Sequence, residues 1–233
     1  MSDVIEYRLE GGVAVLVFDD GKANVLSGES IAALHVALDR AEKEAASVAL
    51  VGRPGRFSAG FDLSVMGSNV NAMRALLRSG VELLVRLWEF PRPVLAVCTG
   101  HAVAGGAMLL LTADYRIGVE GDWKIGLNEV GIGMPLPIFA VELARARLDP
   151  RLFTQATLLG KTYDGQGAVT AGYLDEVVTA EGLLDRGMEL ATQAASLETS
   201  GFAPSKVRVR RPLADFVRST LDEDMASITM PNP

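Results

Sequence analysis

At 233 residues the chain fits one large domain, or one domain with a small appendage. With 49 % hydrophobic residues it can build a substantial core, and a net charge of -7 argues against nucleic acid as the main partner. The single cysteine, Cys98, excludes an intrachain disulfide and makes a reducing compartment the default. The start, Met-Ser-Asp-Val-Ile-Glu, lacks the basic and apolar regions of a signal peptide. No apolar run reaches the roughly 18 residues of a membrane span. The expectation is a soluble cytoplasmic protein.

In chain order, the apolar run 13–18 reads as a strand behind the turn signal Gly11-Gly12, with 7–9 as its hairpin partner. Ser27 is placed to cap a helix carrying Ile31, Leu34, Leu38, Ala41 and Ala45 at helical spacing. Residues 48–51 form the next short strand, and 52–60 read as a Gly/Pro-rich loop. A long amphipathic helix follows over 70–88 and stops before Pro91-Arg-Pro93. Residues 94–97 and 115–119 read as strands, with a short buried helix at 105–111 between them. From about Pro137 the chain reads as mostly helical.

Strands alternating with helices predict an α/β fold with parallel pairing. The run Lys206-Val-Arg-Val-Arg-Arg211 reads as a solvated surface segment, with an anion contact or a subunit contact as alternatives. Cys98 closes an apolar run and reads as a buried, inert thiol. His35 falls on a predicted surface helix. His101 has no second His or Cys at metal spacing, so it receives no role and no metal site is expected.

Two glycine loops carry the chemistry: Phe57-Ser-Ala-Gly-Phe-Asp-Leu63 and Ala102-Val-Ala-Gly-Gly-Ala-Met108. Glycine lets backbone approach a ligand closely with its N–H groups free. Gly105, if it opens the buried helix, puts its N–H at the positive end of a helix dipole. Two convergent N–H groups would form an oxyanion hole for a carbonyl that gains charge. Either loop taken singly is equally consistent with a tight turn.

These loops, with Asp114-Tyr-Arg-Ile117 and Lys22-Ala-Asn24, resemble the signatures of the crotonase, or enoyl-CoA hydratase/isomerase, family. The resemblance runs from about residue 5 to about 195. It implies a crotonase-like spiral of ββα turns with a helical C-terminal region, divided as a core of residues 1–199 and an appendage of 200–233. It also implies an acyl-CoA thioester as partner, with no cofactor beyond the coenzyme A of the substrate, and assembly as a homotrimer or hexamer. Carried over, the oxyanion N–H groups belong to Phe61 and Gly105. Asp62 braces its loop, and Asp114 and Arg116 support the fold.

One position departs from the hydratase pattern. Hydratases of the family carry a glutamate in the helix after the second loop, where this chain has Met108. The second glutamate survives as Glu129, in Ile125-Gly-Leu-Asn-Glu129. A thioether neither activates water nor carries a proton, whereas hydration uses two carboxylates. One carboxylate is enough to move a double bond from the 3- to the 2-position, taking a proton from the α-carbon and returning it to the γ-carbon. The segment resembles the single-glutamate isomerase branch, which favours isomerase. Hydratase and a non-catalytic acyl-CoA carrier remain alternatives, and Glu129 could be a structural carboxylate. Along the implied coenzyme A path lie Lys22, Asn24, Arg53, Arg56 and Ala59. Met66, Met108, Leu127, Ile132 and Phe139 are candidates for an acyl pocket.

Overall fold

A computed structural model describes residues 4–229. Strands β1 (Ile5–Glu10) and β2 (Val13–Phe18) pair as an antiparallel hairpin. The turn between them holds Gly11 and Gly12 at φ of 57° and 84°, the left-handed geometry a two-residue hairpin loop requires. Glu6, Arg8 and Glu10 share one face of β1, with Arg8 3.4 Å and 3.2 Å from its acidic neighbours. After β3 (Val25–Leu26), helix α1 (Gly28–Glu44) begins in a reciprocal cap. Ser30 N donates to Ser27 Oγ at 3.2 Å while Ser27 N donates to Ser30 Oγ at 2.9 Å.

Three successive turns of chain then repeat one path. Strand β4 (Ser47–Gly52) leads to β5 (Gly55–Ser58), β6 (Gly60–Phe61), the single turn α2 (Leu63–Met66) and the long helix α3 (Val70–Glu89). Strand β7 (Val94–Cys98) leads to β8 (Gly100–Val103) and α4 (Gly105–Thr112). Strand β9 (Tyr115–Val119) leads to β10 (Ile125–Gly126) and the helices α5 (Ile138–Arg147), α6 (Phe153–Thr157) and α7 (Gly165–Ala171). The first strand of each turn joins a six-stranded sheet, parallel except for the β1–β2 hairpin, in the order β1-β2-β4-β7-β9-β11, with β11 spanning Glu176–Val178. The second strand joins a three-stranded parallel sheet in the order β10-β8-β5. This is the spiral of ββα turns that the resemblance implies.

The reading of 52–60 as a loop is corrected: β5 and the start of β6 lie inside it. Their pairing is long-range, Gly55 facing Gly100 and Val25 facing Gly60. A Cβ at Gly100 would sit 2.2 Å from the Gly55 carbonyl carbon, so the glycines that look like loop residues are what let the strands meet.

The main core lies between the sheets and helices α1, α3 and α4. A smaller one lies between the other face of the large sheet and α8 (Leu183–Ala195). Helix α9 (Thr199–Ser227) packs on α3 and α5 and sends Ala214, Val217 and Met225 into the main core.

The basic run on α9 is only partly a solvated segment. Lys206 and Arg210, one helical turn apart, are both buried. Asp114 Oδ2 accepts from Lys206 Nζ at 2.5 Å, and Oδ1 accepts from Arg210 Nη2 at 2.9 Å. The Arg210 guanidinium lies 3.5 Å over the Trp88 ring, and Trp88 Nε1 donates to Arg210 O at 3.0 Å. Asp114 also accepts from Val94 N, so one carboxylate ties β7, the end of α4 and α9 together. Arg116 closes a second tie, a forked contact to Asp175. Asp114→Ala would leave two cations buried without their anion, and the expected loss is roughly 3–5 kcal/mol, measurable by urea denaturation, with hydrogen exchange fastest to rise along α9.

Candidate active site

The two glycine loops meet at atoms only glycine can bring together. Gly60 has φ 85°, and a Cβ there would lie 2.8 Å from Gly105 N and 3.0 Å from Val103 O. A Cβ at Gly106 would lie 2.2 Å from Ser58 O. Ala104, immediately before α4, has φ 51° and ψ -127°, a conformation a side-chain-bearing residue adopts only under constraint. That twist starts α4 at Gly105, where the first backbone N–H groups of a helix have no intrahelical acceptor.

The ring of Phe61 is seated between two more glycines. A Cβ at Gly105 would come 2.8 Å from its Cδ2, and a Cβ at Gly80, inside α3, 2.2 Å from its Cε1. Gly80 is a position the sequence reading missed. Its signal was available, because glycine in a helix interior costs about 1 kcal/mol relative to alanine and calls for a packing reason.

The first loop is braced from the 18–26 segment. Ser58 Oγ donates to Asn24 O at 2.7 Å, Ala59 N to Ala23 O at 3.0 Å, and Asp62 N to Leu26 O at 3.2 Å. Asp62 caps α2, accepting from Ser64 N at 2.9 Å, in keeping with a bracing role.

A cavity of about 280 Å³ lies beside these loops. Of the predicted residues it gathers Ala59, Phe61, Met66, Met108, Glu129 and Ile132; Leu63, Leu77, Ala104, Asn128, Met134 and Ile228 also line it. Glu129 is 5 % exposed, and among the described residues neither carboxylate oxygen has a hydrogen-bond partner. It opens the single 3₁₀ turn Val130–Ile132, and its carbonyl accepts from Ile132 N and Met134 N at 3.0 Å and 2.9 Å. Burial pushes its carboxyl up from 4.5 to about 7, opposed only weakly by its own backbone N–H. Met108, 1 % exposed, presents a thioether to the same space.

Several predicted residues lie elsewhere. Asn24 is fully buried, and its side-chain amide donates to the carbonyls of Phe18, Arg56 and Phe57 at 2.6, 3.2 and 3.2 Å. Its side chain therefore braces the first loop and lies outside the cavity lining. Leu127 and Phe139 are buried in the core and do not line this cavity. Lys22 and Arg56 are exposed outside the cavity. Arg53 holds Lys22 O at 2.6 Å and Asp19 at 3.2 Å. Cys98 is buried, with its thiol pushed up to about 12 by desolvation. His101 Nδ1 accepts from Lys124 N at 2.9 Å, a structural contact.

The fold that carries this arrangement is shared with known proteins. The family model described as enoyl-CoA hydratase/isomerase matches residues 8–227. The chain belongs to the enoyl-CoA hydratase/isomerase family. A crystal structure of a family member from Pseudomonas syringae is 41 % identical, with a TM-score of 0.95, covering 98 % of this chain and 99 % of that one. An enoyl-CoA hydratase from Mycobacterium marinum is 35 % identical, with a TM-score of 0.91, covering 97 % of this chain and 100 % of that one. The human mitochondrial enoyl-CoA delta isomerase 1 is 28 % identical over 95 % of this chain and 75 % of its own length.

The raised pKa of Glu129 has a thermodynamic consequence. In the unfolded chain the carboxyl titrates near 4.5, in the folded chain near 7. Folding thus disfavours the charged form: stability is fully present below pH 4.5 and is lost as pH rises through 7, by roughly 3 kcal/mol. Glu129→Gln removes that loss. In denaturant titrations the variant should match the wild type at pH 4.5 and exceed it by roughly 3 kcal/mol at pH 8.

Proposed function

We propose that the protein is an enoyl-CoA isomerase that converts 3-enoyl-CoA to 2-enoyl-CoA in fatty acid metabolism. The observation that carries this reading is the pairing of one buried, unpartnered carboxylate, Glu129, with Met108 in the same cavity. Relatives with hydratase and isomerase names both match along nearly the whole chain, so the reading rests on the cavity chemistry.

In the proposed reaction Glu129, as carboxylate, takes a proton from C2 of the 3-enoyl thioester. The C–H electron pair forms the C1–C2 bond of the enolate, whose oxygen is stabilised by the N–H groups of Phe61 and Gly105. The carbonyl then reforms, the double bond moves to C2–C3, and the Glu129 proton passes to C4. Protons balance, and the base returns to its starting state. A carboxyl titrating near neutrality suits both halves, as at neutral pH it is available both as base and as acid. The cavity's largely apolar side chains, Met66, Leu77, Met108 and Ile132, keep water from the enolate. The coenzyme A moiety would pass Lys22, Arg53, Arg56 and Ala59.

Hydration of 2-enoyl-CoA is the second reading. It would need a water-activating group beside Glu129, and Asn128 Oδ1, buried and unpartnered at the cavity, is the polar atom in place to hold one. A cytoplasmic setting, supported by the cysteine usage, and a homotrimer or hexamer, supported by the family resemblance, complete the proposal.

Steady-state rates on 3-enoyl-CoA and 2-enoyl-CoA discriminate the readings. Isomerisation should exceed hydration by a wide margin, and Glu129→Gln should lower isomerisation by about a hundredfold or more while leaving saturated acyl-CoA binding nearly unchanged. Wild-type kcat/KM should rise with pH through about 7, as the base loses its proton, and then level off. Hydration faster than isomerisation would overturn the assignment.

A further inference from the structure

The cavity has two ends, and α3 measures the distance between them. Gly80 abuts the Phe61 ring at one end. Leu77, nearly one turn back, lines the cavity, and Arg74, nearly a turn further back, grips the chain that follows α9. Arg74 Nε donates to Ile228 O at 3.1 Å, and Nη2 donates to Ala226 O and Ile228 O at 2.6 Å and 2.9 Å. From Gly80 to Arg74 the helix rises roughly 9 Å, and Ile228, held by Arg74, lines the same cavity as Phe61.

A second anchor fixes the same segment from the other side. Asp224 Oδ2 accepts from Ile138 N, the first residue of α5, at 2.8 Å. Its neighbour Pro137 is itself part of the cavity wall. Ile228 is 3 % exposed although α9 has already ended, because these two anchors hold it against the core. The three contacts from one guanidinium go to two backbone carbonyls and fix the backbone that carries the Ile228 side chain.

We infer that Ile228, seated by Arg74 and Asp224, is the stop that limits acyl chain length in this cavity and restricts it to short and medium chains. The inference rests on the reading of this cavity as the acyl site. The volume of about 280 Å³ agrees, falling just under the roughly 300–1,000 Å³ typical of sites for drug-sized ligands. Arg74 acts through Ile228 and is a positioning residue. Neither residue belongs to the signatures that mark the two loops.

Binding of saturated acyl-CoA thioesters, from butanoyl to hexadecanoyl, tests this by calorimetry on the full chain, because it needs no turnover. Each methylene that finds apolar wall should tighten binding by about fourfold, and in the wild type that gain should stop at the length that meets Ile228. In Ile228→Ala the stop should move to longer chains and in Ile228→Trp to shorter ones. Arg74→Met should behave as Ile228→Ala does, and should it fail to fold, the two Ile228 variants decide alone. The same stopping length in all variants overturns the inference, as does a wild-type series that tightens without a stop. A shifted stop in a protein that isomerises nothing keeps this inference and overturns the proposed reaction. Unshifted binding in an active isomerase does the reverse, and no binding at any length overturns both.

Discussion

The site depends on one steric constraint: the ring of Phe61 fits only because neither Gly105 nor Gly80 has a side chain. Through that ring three separately folded segments, the β6 turn, the start of α4 and the middle of α3, are held to one geometry. The backbone of Phe61 is thereby fixed relative to the first turn of α4, and the strained Ala104 between β8 and α4 is held in place by the same packing. Removing the Cβ at Gly80 lowers helix propensity in α3, and the helix recovers that cost by burying an amphipathic face that includes Met73, Leu76, Leu77, Leu84 and Trp88.

Much of this was legible from the amino acids. Local signals placed β2, α1, α3, β7, α4 and β9 to within a residue or so: α1 and α3 combine apolar spacing with a cap or a proline stop, and β2, β7 and α4 are dominated by continuous apolar runs. The short strands β5, β6, β8 and β10 were not recoverable in this way. Two to four residues rich in glycine carry no period, and their stability comes from partners far along the chain. The same blindness affected the site. Glu129 and Met108, singled out by their place in a motif, line the cavity, whereas Asn24, Leu127 and Phe139 are buried outside it. Lys206 and Arg210 looked like surface charge because no sequence rule pairs them with Asp114, some ninety residues earlier. Ile228 had no local signal at all.

Glu129 illustrates how the fold tolerates a group it does not favour. A carboxylate without partners is among the more costly things to bury, yet this one sits in a wall of thioethers and aliphatic side chains. With Met108 and no second acid in the cavity lining, no neighbouring carboxyl there couples to its proton site. A site with one titrating group has one protonation equilibrium to manage, and its chemistry can be tuned by apolar packing alone.

The charged face of β1 bears on how copies of the chain can meet. An open sheet edge is a template for adding another strand, and proteins blunt such edges with charge or brevity. Here one edge alternates Glu6, Arg8 and Glu10, and the other, β11, is three residues long. Pairing of two β1 edges centred on Arg8 would align like charges, and pairing on β11 would end after three residues. Both edges therefore discourage extension of the sheet by a further strand.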